Sequence, residues 1–207
     1  MIKGIDISRW NVITNYGKVK NSGVNFAIIK AGGSDNGFYE DSKFKEHYAG
    51  CKAAGINVGA YYFAGKNLKS EADGIADAQR FLKLIDGMLF EYPVYLDIEA
   101  QPPEHRESNT TAAIAFCRII ERAGYYAGIY ASDISGFRER LVLSKLSLYD
   151  KWVARYGSSP KYVTSYGIWQ SSSHGYVEGI NGNVDIDYSK HDYAKIIIGR
   201  GLNKWKS

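Results

Sequence analysis

Short runs of β-branched and aromatic residues alternate along this chain with longer amphipathic stretches. That alternation restricts it to a fold built on a largely parallel sheet. Ile2 to Ile7, Phe26 to Ala31, Asn57 to Phe63, Val94 to Ile98 and Tyr126 to Tyr130 read as the first five strands. After the turn Gly32 to Gly37, the spacing of Phe44, Tyr48, Cys51 and Ala54 predicts a helix that stops at Gly55. A second opens at Ser70, with Asp73 in the capping-box position and Ile75, Ala78, Phe81, Leu82 and Ile85 as its buried stripe. Asn109 or Thr110 caps a third, which carries Ala113, Phe116, Cys117 and Ile120 and closes at Gly124; Phe137 to Leu143 reads as a short fourth. Lys151 to Tyr156, Gly167 to Gln170 and Val184 to Tyr188 then follow as strands joined by loops alone. Eight strands with mostly parallel crossovers imply an α/β barrel, shortened by the loss of helices from its later third. An open doubly wound sheet is the alternative, and the absence of G-x-G-x-x-G after the first strand disfavours its dinucleotide-binding version.

The 207 residues fit one domain, 1–207, large enough for a substantial core. A formal charge of +4 without any dense Lys/Arg run does not indicate nucleic-acid binding; it supports at most a mild attraction to anionic polymers such as a bacterial wall. Cys51 and Cys117 fall on the apolar faces of separate helices and read as buried free thiols. No apolar run reaches the ~18 residues of a membrane span, so no insertion is expected. The start, Met1 to Asp6, enters a strand directly and shows no secretory signal. Nothing calls for a partner chain, and a monomer is the favoured state.

The chemistry candidates sit at strand ends. Asp97 and Glu99 alternate onto one side of the fourth strand, about 7 Å apart along it. Asp6 ends the first strand, and Asp185 and Asp187 lie on the eighth. In a closed barrel the first and eighth strands are neighbours and the fourth faces them, so these acids converge on one groove. Glycoside hydrolysis needs that arrangement: one carboxyl to protonate the leaving oxygen, another as an anion. For Asp187 the turn-or-cap reading is the stronger one. Four histidines with scattered cysteines support neither a zinc site nor a nucleophile triad, and no metal or cofactor is expected. Seventeen tyrosines and four tryptophans offer faces on which sugar rings stack, although most read as core filler.

Six segments together resemble family 25 glycoside hydrolases, the Chalaropsis-type lysozymes of bacteria and phage endolysins. They are Gly4-Ile5-Asp6-Ile7-Ser8, Val58 to Phe63, Leu96-Asp97-Ile98-Glu99, Trp152 to Tyr156, Ile168-Trp169-Gln170 and Gly182 to Asp187. The resemblance implies a flattened, TIM-like (β/α)5(β)3 barrel and N-acetylmuramidase activity on the β-1,4 bond of bacterial peptidoglycan. It assigns Glu99 as general acid/base, Asp97 as its assisting carboxylate, and Asp6 and Asp185 as further acids of the groove. Asp187 stands where the family often has Asn. Tyr62, Tyr130, Trp152 and Gln170 are assigned to sugar contacts. The turn Ala31-Gly32-Gly33 departs from a more polar stretch in relatives, so no contact is assigned at the second strand end. The protein is then expected to act on the wall, outside the cell or released from a host cytoplasm as a phage lysin. No wall-binding repeats follow Ile198. A non-catalytic sugar-binding barrel, a Mg²⁺- or Ca²⁺-dependent phosphodiesterase and a chitinase are the competing readings. A chitinase would carry further aspartates where this chain has Tyr92 and Tyr95.

Overall fold

The computed structural model describes residues 1–206. Eight strands close into a barrel: β1 (Ile2–Ile7), β2 (Phe26–Gly33), β3 (Asn57–Phe63), β4 (Val94–Asp97), β5 (Ala127–Ser132), β6 (Asp150–Ala154), β7 (Ile168–Gly175) and β8 (Val184–Ser189). Pairing is parallel from β1 through β7 and antiparallel for β7–β8 and β8–β1. The barrel expectation holds, and the open-sheet alternative falls to the direct β1–β2 and β1–β8 pairings that complete the ring.

Helices α1 (Tyr16–Asn21), α2 (Phe44–Ala53), α3 (Glu71–Leu84) and α4 (Arg106–Arg122) cover the outside, and α5 (Tyr193–Gly199) follows β8. Parallel strands wrapped this way are buried on both faces, which is why β2 reads as an almost unbroken apolar run. In α3 the Ser70 hydroxyl accepts the Asp73 N–H, and the Asp73 carboxylate accepts the Lys69 N–H, the predicted cap. Phe81 of α3 stacks on Phe116 of α4 with ring centres 5.8 Å apart. Cys51 and Cys117 are buried and free.

Large aromatic rings fill the barrel interior. Phe26, Tyr92, Tyr95, Tyr130 and Trp152 pack there, with Phe26 and Tyr92 stacked at 4.3 Å. Space for them comes from glycine: a Cβ on Gly4 would run into the Phe26 ring, and one on Gly128 into the Tyr95 ring. The floor is sealed by α5, whose Tyr193 reaches Asp150 and packs 5.4 Å from Tyr92. Asn203, in the left-handed region at φ 53°, adds the last tie: its amide nitrogen donates to the carbonyls of Phe90 and Tyr92, and its oxygen accepts the Tyr126 N–H.

Several sequence expectations shift. Helix α4 starts at Arg106 after a 3-10 turn at Pro103–His105, earlier than Asn109 or Thr110. Those residues point inward instead: the Asn109 amide donates to the carbonyls of Pro102 and Arg140, and the Thr110 hydroxyl accepts the Val142 N–H. The helix predicted over Phe137 to Leu143 is two separate turns, Asp133–Arg138 with π geometry and Leu143–Leu146 with 3-10 geometry. Asp133 opens the first turn while its carboxylate accepts the backbone N–H groups of Lys161 and Val163, fastening the later loop to it. Helices α1 and α5 were not predicted; at six and seven residues they are too short to display a helical period.

Candidate active site

Parallel strands leave their C-terminal ends together at one rim, and in α/β barrels that rim builds the site. Here it frames a cleft of about 220 Å³. Register brings the acids to it. Asp6 pairs opposite Asp185 across β1 and β8, while Asp97 lies opposite Phe63 on β3 and Tyr130 on β5. β4 ends at Asp97, but Ile98 still donates to the Tyr130 carbonyl, so alternation carries Glu99 to the same cleft. All four assigned acids line it, as do Tyr130, Trp152 and Gln170.

Tyr62 does not, and its assignment is corrected. Its ring faces outward beneath α3 and α4, between Phe81 and Phe116, and its hydroxyl donates to Asp77 at 3.1 Å. Tyr61 and Phe63, one residue to either side, face the cleft. Three consecutive aromatics gave the alternation no polar residue from which to fix its phase. Tyr62→Phe should therefore leave the cleft unaltered and cost about 1 kcal/mol of stability, read as a lower denaturant midpoint at constant slope.

Sequence reasoning also missed Lys30. It reaches the cleft from β2, the strand to which no contact was assigned, with its ammonium 4.3 Å from the Phe63 ring centre. Trp10 and Tyr156, both exposed, form the rim. Trp10 is 77% exposed, and the Arg9 guanidinium lies 4.8 Å over its ring. Solvent-facing indole beside a cleft of acids suits a polar ring with an apolar face.

The electrostatics separate the acids. Asp97 is buried, and its Oδ1 meets no donor among the described residues. Burial, and then the Glu99 charge, hold its carboxyl well above the usual range, with Lys30 opposing. Glu99 stands at the mouth; enclosure by the cleft walls raises it, while Tyr130, Lys30 and Arg140 pull it back. Asp185 is raised by burial, offset by the neighbouring Asp6 carboxyl and by the charge of His174. Asp6 is pushed well up by burial and by the charges of Asp187 and Asp185. Asp187, read from sequence as a turn or cap, is instead fully buried within β8; its Oδ1 accepts the Trp152 indole N–H at 2.7 Å. Gln170 links the two sides: its amide nitrogen donates to Asp6 at 2.7 Å, and its oxygen accepts the Tyr130 hydroxyl at 2.8 Å. Tyr130 in turn lies 3.5 Å from Glu99.

Comparisons with known proteins agree with this geometry. The chain is 29% identical over 187 residues to the autolytic lysozyme of Clostridium acetobutylicum, which covers 90% of this chain and only 55% of that protein. It is 31% identical to lysozyme M1 of Streptomyces globisporus, covering 95% of this chain and 70% of the relative. The crystal structure of the CTP1L endolysin superposes with a TM-score of 0.83 at 32% identity, over 96% of this chain and 70% of that one. Residues 5–180 match the family model for glycosyl hydrolases family 25. With that match spanning most of the barrel, the chain belongs to glycosyl hydrolases family 25.

Proposed function

We propose that this protein is an N-acetylmuramidase, cleaving the β-1,4 bond from N-acetylmuramic acid to N-acetylglucosamine in bacterial peptidoglycan. One observation carries the reading: Asp97 and Glu99 share a cleft with Asp6 and Asp185, and Trp10 and Tyr156 rim it. The resemblance to lysozymes and an endolysin supports the same substrate class.

Glu99 is the general acid/base. It stands at the mouth, where a leaving oxygen arrives, and its raised affinity for a proton suits it to donate one near neutral pH. Asp97 offers Oδ1, a buried acceptor with no donor, to the N–H of the substrate's 2-acetamido group. That hydrogen bond stabilises the Asp97 anion and leaves the proton of the Asp97–Glu99 pair on Glu99. The acetamido oxygen then attacks C1 as the C1–O bond breaks, and Glu99 gives its proton to the departing oxygen. Water next attacks C1, surrenders a proton to Glu99 and regenerates the acetamide. Lys30 keeps the two carboxyls from both holding protons, since its charge lowers each.

Purified peptidoglycan digested with the protein, then borohydride-reduced and analysed by mass spectrometry, tests this. Muramitol at the new ends is the expected result. Glucosaminitol ends indicate the opposite bond, and binding without release of ends indicates a sugar-binding barrel; either outcome overturns the proposal.

A further inference from the structure

Asp187 does not line the cleft and has no step in the reaction above, yet it is the most enclosed acid among the described residues. Its Oδ1 is taken by the Trp152 indole, while its buried Oδ2 finds no backbone, amide or hydroxyl donor. Register sets Asp187 opposite Gly4, which has no side chain, so its carboxyl shares a face with that of Asp6 two residues along β1, whose own Oδ2 is occupied by Gln170 and which feels the Asp187 charge. Two carboxyls thus neighbour one another at the cleft wall, Asp187 fully enclosed and Asp6 nearly so, each with one oxygen already satisfied by an N–H. Both cannot be ionised there, because nothing compensates two buried negative charges.

We infer that Asp187 is a positioning residue: it shares one proton with Asp6 and so fixes the orientation of the Asp6 carboxyl on the wall of the catalytic cleft. Its kinetic consequence rests on the muramidase reading, while the shared proton does not. The surroundings favour retention of that proton. Facing the pair are Asp185 from β8, Gln170 from β7, Trp152 from β6, and the Tyr61, Tyr130 and Tyr156 hydroxyl groups near Asp6. The nearby cations act elsewhere: Lys30 and Arg140 on Asp97 or Glu99, and His174 on Asp185. Burial and the Asp185 charge push Asp187 up to about 8, and burial also drives Asp6 upward.

Asp187→Asn tests it, because an amide N–H can take the place of the shared proton while the side-chain oxygen still accepts from Trp152. A carboxyl pair raised on folding stabilises the native state fully below the unfolded carboxylate range, about pH 4. That contribution is lost as pH rises toward 8. Thermal melts from pH 4 to pH 9 should show D187N gaining on the parent protein by at least about 5 °C up to pH 8, then staying level. D6N should reproduce that divergence, since either amide removes one of the two carboxyls. Parallel melting curves for parent and D187N overturn the shared proton. This arm needs no substrate, so it decides even if the parent releases no reducing ends. In the wall assay the ratio of kcat/KM for D187N to that for the parent, in which the Glu99 limb common to both cancels, should rise by at least about fivefold between pH 6 and pH 9. A ratio that does not change with pH, or loss of activity at every pH in a folded D187N, overturns the positioning role.

Discussion

Glu99→Gln lowers the rate of reducing-end release from purified peptidoglycan by roughly 10²–10⁴-fold, with KM little changed. The amide keeps the shape and polarity of the side chain and lacks only the transferable proton. Glu99 makes one long hydrogen bond, to Tyr130 at 3.5 Å, and lies outside the packed interior, so the fold has little stake in it. Unfolding free energies of parent and variant should agree to within about 0.5 kcal/mol. The parent's rate should fall as pH rises through the elevated Glu99 titration, because only the protonated form can serve the leaving oxygen. A variant within tenfold of the parent removes Glu99 from the acid role. The same variant should still bind wall fragments, which separates lost chemistry from lost recognition.

Trp152→Ala has the largest expected effect on stability. The indole is buried, lies 4.3 Å from the Tyr130 ring and 5.4 Å from Tyr95, and forms the surface beneath the cleft. Truncation opens a cavity worth about 3–5 kcal/mol. It also strips Asp187 of its indole N–H donor, adding about 1–3 kcal/mol for a buried acceptor left unsatisfied. Together these approach the whole stability of an ordinary domain, about 5–15 kcal/mol. Urea unfolding should show a midpoint near zero denaturant. A loss under about 2 kcal/mol would mean that the interior relaxes around the gap.

The strand ends were legible because parallel strands advertise themselves twice, by apolar runs and by the helices between them. Asp6, Asp97, Glu99 and Asp185 were readable as a set once barrel closure made distant termini adjacent. Tyr130, Trp152 and Gln170 followed from the same strand ends, and all three reach the cleft. Tyr62 failed because its phase within an aromatic run depends on the register of β3 against β4, which is a tertiary fact. Lys30 was hidden inside an apolar strand, where one polar residue among seven buried ones gives no sign of which face it takes. Asp187 failed for a different reason. An acid near a strand end is ordinarily solvated, and only the Trp152 indole and the neighbouring Asp6 reveal that this one is enclosed. The floor formed by α5 and Asn203 was equally unreadable, since a seven-residue helix and a single asparagine carry no periodic signal.

Because β8 hydrogen-bonds to β1, the ring cannot close until β8 itself has left the ribosome. A nascent chain would carry Asp97 and Glu99 well before Asp185 arrives to complete the groove. Loop closure over so long a span makes this pairing a late and slow event in folding. Assembly of the acidic groove is thereby gated by arrival of the last barrel strand, and a product cut short before it would hold Asp97 and Glu99 without their opposite wall.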